Sequence, residues 1–178
     1  MAKNSTLISG FGGQGVLLFG SILAEAGAAL GKWVSFLPAY GPEARGGTAF
    51  CTTIISDTQI ISPLIDNTDN LVALNNPAAE RFLPKLKAGG TLLLNSSLVP
   101  NLPHTDGYHV YKLPASQLAE GIGSPRCLNM LCLGALLKVK NLAPLSLVKN
   151  VIRDMLGEER KDLIELNFKA LELGYNYF

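Results

Sequence analysis

Apolar and polar positions alternate in blocks along this chain, and the blocks predict strands and helices in turn. Ser5-Thr6-Leu7-Ile8 is a short β-branched and apolar run, predicting a first strand over 5–9. A long apolar run with helical character follows from Val16 to Leu30, predicting a helix over 15–31 that Gly31 stops. Small residues at Ala24, Ala26, Ala28 and Ala29 suit that helix to close packing. Residues 33–37 predict a second strand, and Phe50 to Ile55, within a β-rich run over 49–56, another. Ser56-Asp57-Thr58-Gln59 reads as a turn, across which Ile60-Ile61-Ser62 is expected to pair back as a hairpin. Leu71 to Leu74 and Thr91 to Leu94 predict short buried strands. Between them Asn75-Asn76-Pro77 caps a helix over about 77–87 that Gly89-Gly90 closes. Tyr108 to Leu113 alternates like a strand near a sheet edge. Helices are then expected over 116–120, 128–139, 144–156 and 159–173, the last ended by Gly174 and followed by an aromatic tail that docks on something.

Strands and helices thus alternate through the first two thirds, and helices fill the rest. The pattern predicts an α/β fold of three layers, α/β/α, with a largely parallel sheet, a possible hairpin and a Rossmann-like glycine turn after strand one. With 178 residues, no internal repeat and no linker, one domain is expected over 1–178.

Composition sharpens the picture. Hydrophobic residues make up 48% and charged residues 16%, against about 25% charged in typical soluble domains. Apolar surface covered by a partner, and so a subunit, is the expectation. The net charge is +1 with no basic block, which argues against nucleic acid. Glycine, Gln, Asn, Ser and Thr interrupt the uncharged stretch from Asn4 to Ala24, so it reads as neither a membrane helix nor a signal segment, and a cytoplasmic location is expected. The three cysteines, Cys51, Cys127 and Cys132, form no C-x-x-C, so neither zinc nor an iron–sulfur cluster can be assembled from this chain alone.

The candidate chemistry sits in the turn Gly10-Phe11-Gly12-Gly13-Gln14-Gly15. Gly10, Gly12 and Gly15 satisfy G-x-G-x-x-G between a strand and a helix. Such a turn lets backbone N–H groups approach an anion, with the helix dipole behind them. An acid to hold a ribose is expected about 20 residues on, at the end of the second strand. Pro38-Ala39-Tyr40 stands there instead, and the next acid is Glu43. A phosphate-bearing ligand other than NAD is therefore favoured over NAD or FAD and over a purely structural turn.

Tyr40-Gly41-Pro42-Glu43-Ala44-Arg45-Gly46-Gly47 forms a second polar, glycine-rich loop just past strand two, where open α/β sheets bind ligands. Arg45 suits phosphate or carboxylate, and an Arg45–Glu43 surface pair is the plainer reading. Asn95-Ser96-Ser97 either lines the same crevice or makes a turn. Asn129 is a cap or a ligand contact, and Asn167 should be hydrogen-bonded if buried. His104 and His109 read as surface or edge residues. No Ser-His-Asp set, paired carboxylates or Walker lysine is present. That is the profile of a binding subunit within an enzyme, or of an enzyme whose cofactor sits elsewhere.

Taken together, these motifs resemble the gamma subunit of 2-oxoacid:ferredoxin oxidoreductases. The resemblance rests on Gly10 to Val16, on Tyr40 to Gly47, and on Ser56-Asp57 with Ser62-Pro63. Ala73-Leu74-Asn75, Gly89-Gly90 before Asn95-Ser96-Ser97, Asn129-Met130 with Leu133-Gly134-Ala135, and Asn167 with Ala170 and Gly174 extend it over essentially the whole chain. The resemblance implies oxidative cleavage of a 2-oxoacid with coenzyme A to acyl-CoA, CO2 and reduced ferredoxin. It implies alpha, beta and delta partner subunits, with ferredoxin as electron acceptor, and places thiamine diphosphate and the iron–sulfur clusters in the partners. Gly10 to Gly15, Tyr40, Arg45, Gly46, Asn95 and Asn129 are then the residues expected on the CoA side, none of them catalytic. The small subunit of indolepyruvate ferredoxin oxidoreductase, a scaffolding subunit and a free-standing NAD-binding oxidoreductase remain alternatives.

Overall fold

The computed structural model describes residues 3–40, 47–157 and 159–178, with Tyr40 described in its backbone only. Six strands form one sheet: β1 (Lys3–Phe11), β2 (Trp33–Tyr40), β3 (Thr48–Ser56), β4 (Thr68–Ala73), β5 (Leu86–Asn95) and β6 (His109–Leu113). Their order is β2-β3-β1-β4-β5-β6. β4, β5 and β6 extend β1 in parallel, whereas β3 runs antiparallel to both β1 and β2. The helices are α1 (Val16–Ala29), α2 (Asn76–Phe82), α3 (Ala115–Gly121), α4 (Leu128–Lys140), α5 (Leu145–Leu156) and α6 (Lys161–Tyr175).

The alternation of side chains along each strand divides the core in two. Ile8, Val72, Leu93 and Leu113 point to one face and pack with Phe19, Leu23, Met130, Leu133 and Leu171 of α1, α4 and α6. Leu7, Leu71, Ala73, Leu92 and Leu94 point to the other and meet Ala78, Ala79 and Phe82 of α2. The three-layer α/β fold read from the sequence is what the chain adopts, with unequal outer layers. Among the described residues the second face carries the single short helix α2.

Four details depart from the sequence reading. The hairpin is β2–β3, not 49–56 with 60–62. Residues 60–62 form no strand, and Ile61 is 99% exposed. The helix after Asn75 ends at Phe82, and a 3-10 turn at Leu83–Lys85 follows, because Pro84 has no N–H to continue the ladder. Gly89-Gly90 lies inside β5 rather than closing a helix, and the Gly89 N–H donates to the Gly107 carbonyl (2.8 Å). Gly174 lies inside α6 against α4 instead of ending the helix. Two smaller expectations hold. Asn167 is buried, and its Nδ2 donates to the Leu163 carbonyl (2.7 Å). Phe178 of the aromatic tail meets the Tyr111 ring edge-on at 5.3 Å.

At the N-terminal end of the parallel strands, Asp69 ties β4 to β1. Burial alone would raise its carboxyl pKa. Hydrogen bonds from Lys87 Nζ (2.6 Å), Ser5 Oγ (2.7 Å) and the Ser5 N–H (2.8 Å) outweigh that and hold it below the usual carboxylate range. A depressed folded-state pKa stabilises above the unfolded value near ~3.9 and is lost as pH falls through the folded value. The carboxylate is partly exposed, so screening keeps the contribution under about 1 kcal/mol. Urea midpoints of the wild type and Asp69→Asn should differ at neutral pH and converge below about pH 3. A constant gap down to that pH would contradict this assignment.

Candidate functional site

The chain reverses direction of progress at β1. After β1, α1 crosses one face of the sheet toward β2. After β4, α2 crosses the other face toward β5. The crevice between the C-terminal ends of β1 and β4 is therefore a topological switch point, where open α/β sheets take their ligands. The turn Gly10 to Gly15 fills the mouth of that crevice.

The turn is held from three sides. Its own chain closes it, with the Gln14 N–H donating to the Phe11 carbonyl (3.1 Å) and the Phe11 N–H to Gln14 Oε1 (2.7 Å). From β4, the Leu74 N–H donates to the Ser9 carbonyl (2.9 Å), and Asn75 Nδ2 donates to the same Gln14 Oε1 (3.0 Å). Asn75 also caps α2, accepting from the Ala78 N–H (2.9 Å), an interaction worth about 1 kcal/mol. From the third side, the Gly12 N–H donates to the Gly47 carbonyl (3.2 Å). Gly47, the last residue of the second glycine-rich stretch, therefore touches the first, and in the sheet register Phe11 pairs with Thr48 and Tyr40 with Ala49. Arg45, Gly46 and Glu43 lie outside the described residues, as does the side chain of Tyr40.

Gly15 is the N-cap of α1 in the left-handed region (φ 73°, ψ 24°), a conformation natural to glycine. No side chain caps the helix, and no acidic residue stands in its first turn. Among the described residues, nothing accepts from the N–H groups of Gly13, Gly15 and Val16. Phe11, Gly12 and Gly13 are exposed, and Gln14 and Gly15 half-buried. The arrangement offers unpaired donors and the positive end of a fourteen-residue helix to an anion.

Asn95 and Asn129 are buried beneath this mouth and hold it in place. Asn95 Nδ2 donates to the Leu74 carbonyl (3.1 Å) and Ser116 Oγ (2.9 Å), while its Oδ1 accepts from the Ser116 N–H (3.3 Å). Ser97 Oγ accepts from the Gln117 N–H (3.2 Å). Residues 95–97 are thus a turn fastening β5 to α3. Asn129 Nδ2 donates to the Gly15 carbonyl (3.2 Å), and its Oδ1 accepts from the Met130 N–H (3.0 Å). Sequence reasoning saw Asn75 as a helix cap but missed its hold on Gln14, a contact across 61 residues. Burial pushes the thiols of Cys51 and Cys132 up to about 12, far from thiolate chemistry. His104 and His109 are exposed. The described residues hold no cluster of three or more His, Cys, Asp or Glu placed for a metal. No described helix is long and apolar enough to cross a membrane.

The fold and the turn together define an open α/β module with an uncapped glycine turn at its switch point. Residues 5–177 match the family Pyruvate ferredoxin/flavodoxin oxidoreductase, and the chain belongs to it. The chain is 34% identical over 175 residues to ketoisovalerate oxidoreductase subunit VorA of Methanothermobacter marburgensis, covering 96% of this chain and 35% of the relative. It thus spans about a third of the length of that relative. The gamma subunit of a keto/oxoacid ferredoxin oxidoreductase from Geobacter sulfurreducens PCA superposes with a TM-score of 0.83 at 33% identity, over 97% of this chain and 96% of that one. The 2-oxoglutarate:ferredoxin oxidoreductase from Magnetococcus marinus, solved with 2-oxoglutarate, coenzyme A and succinyl-CoA bound, superposes with a TM-score of 0.91 at 26% identity. That match covers 98% of this chain and 30% of the other.

Proposed function

We propose that this chain is the gamma subunit of a complex that oxidatively decarboxylates a 2-oxoacid with coenzyme A, giving acyl-CoA, CO2 and reduced ferredoxin. In this reading the module is one domain over 1–178, working with alpha, beta and delta subunits and passing electrons to ferredoxin. The partners hold thiamine diphosphate, which supplies the carbanion chemistry of decarboxylation, and the iron–sulfur clusters. This chain's part is binding. The N–H groups of Gly13, Gly15 and Val16 hold a phosphate of CoA against the start of α1. Arg45, two residues before the Gly47 whose carbonyl takes the Gly12 N–H, pairs with a second phosphate. Asn95, Asn129, Asn75 and Gln14 keep the turn in register. The observation that carries the reading is the uncapped, left-handed start of α1 at the switch point, with N–H groups that no described residue accepts from and no acid in its first turn. The Magnetococcus marinus relative, solved with coenzyme A bound, gives it further support.

Arg45→Ala in the assembled complex tests it. The KM for CoA should rise roughly 10- to 100-fold, as loss of a charge-assisted contact worth roughly 1.5–3 kcal/mol requires. Unchanged KM and turnover would sink the assignment of the CoA phosphates to this edge.

A further inference from the structure

The segment after β3 has no part in the site above, yet it exposes much apolar surface. Ile61 is 99% exposed and Leu64 73%. Their conformation is specified: the Leu64 N–H donates to Ser62 Oγ (3.2 Å), fixing the turn through Pro63 that presents both side chains. Leu64 overhangs a cavity of about 280 Å³ on the α2 face of the sheet, walled by Leu37, Phe50 and Phe82. Arg81 and Lys85 stand on its rim, with Asp66 as the carboxylate among its lining residues. Arg81 lies over the rings of Phe50 (5.6 Å) and Phe82 (5.2 Å), so its charge is held at the mouth.

We propose that this loop and cavity dock a larger partner subunit of the complex, which inserts an apolar side chain and sets an acidic one against Arg81 and Lys85. Three observations select that occupant. A small molecule filling about 280 Å³ would leave Ile61, outside the cavity lining, in water, whereas a protein surface covers both. A second copy of this chain meeting the patch across a two-fold axis would bring two cations, Arg81 and Lys85, from each side against one carboxylate, Asp66, an excess of like charge that disfavours a homodimer. In two relatives the matching module is about a third of a longer chain, so there it has further protein of the same complex to lie against. The inference rests on family membership, not on the assignment of CoA to the glycine turn.

The test co-expresses the full chain with the other subunits of its complex and reads assembly by native mass, without CoA. Ile61→Asp with Leu64→Asp should weaken assembly at least tenfold, because apolar anchors at an interface core tolerate no buried, unpaired charge. Arg81→Glu should weaken it less, and with a shallower salt dependence than the wild type shows. Thermal unfolding of the isolated Ile61→Asp and Leu64→Asp variant should match the wild type, since both side chains are exposed, whereas Arg81→Glu should melt slightly lower for loss of its ring contacts. Normal assembly of the Asp variants overturns the proposal. So does an isolated wild-type chain that dimerises through a contact the Asp variants abolish. Neither outcome touches the CoA reading, which is scored by KM in the assembled enzyme.

Discussion

Gly134→Ala should cost about 3 kcal/mol, and Gly174→Ala the same, the largest losses expected from adding one methyl to this chain. The two glycines face each other where α4 crosses α6. A methyl on Gly134 would land on the Leu171 carbonyl, and one on Gly174 on the Leu131 carbonyl, both far inside van der Waals contact. The obstructing atoms are backbone in both cases, so no rotamer change relieves them. The helices must separate, and that opens the core around Leu131, Ala135, Ala170 and Leu171, all buried. Ordinary overpacking costs about 1–3 kcal/mol, and a backbone obstruction belongs at its upper end. For a chain of this size each kcal/mol is about 2–4 °C, so the melting temperature should fall by roughly 6–12 °C. The double variant should fall short of the sum, because one separation relieves both overlaps. Gly121→Ala is the control. That glycine lies at the end of α3 with nothing within 4 Å of the added methyl, and its change should be neutral or slightly stabilising. Melting followed by circular dichroism reads all four. An unchanged Gly134→Ala would mean that the helices do not cross this closely.

Gly174 also shows where sequence reasoning stops. A glycine that ends a helix and one that admits a neighbouring helix look alike in sequence, and the partner that separates them is 40 residues away at Gly134. The same limit explains the hairpin. Ile60-Ile61-Ser62 has a strand's apolarity, but apolar surface kept for another protein carries the same signal as apolar surface kept for the sheet. What was legible was local. The strand–turn–helix at 3–29 shows in its own residues, because glycine spacing and apolar period act within one or two turns of chain. α4, α5 and α6 lie within about two residues of their expected bounds, since apolar positions mark all three and Pro125 and Pro144 precede the first two. The glycine turn was therefore readable, while its bracing by Asn75, Asn95 and Asn129 was not. Each of those asparagines acts through a hydrogen bond to a residue distant in sequence that only the folded chain brings near.

Gly15→Ala should be the most damaging substitution at the site, in stability and in CoA use together. An L-residue at φ 73° costs about 1–2 kcal/mol. The added methyl would also lie 2.7 Å from Cγ of the buried Asn129 amide and drive it off the Gly15 carbonyl, forfeiting a hydrogen bond worth about 0.5–1.5 kcal/mol. Together these give roughly 2–3 kcal/mol. Two companions divide that sum. Gly13→Ala keeps the unfavourable φ (94°) but has open space for its methyl, so it should show the conformational part alone. Asn129→Ala should lose the hydrogen bond while making room, so that in its background Gly15→Ala costs less than in the wild type, a coupling a double-mutant cycle reads directly. The functional consequence follows from the same geometry. Crowding at Gly15 swings the first N–H groups of α1 away from the crevice, so the KM for CoA of the assembled complex should rise more for Gly15→Ala than for Asn129→Ala. Wild-type stability in Gly15→Ala would contradict the crowded left-handed cap. A destabilised variant that still assembles and uses CoA normally would instead separate the two roles, leaving the turn as a structural joint and sending the CoA phosphates to another surface.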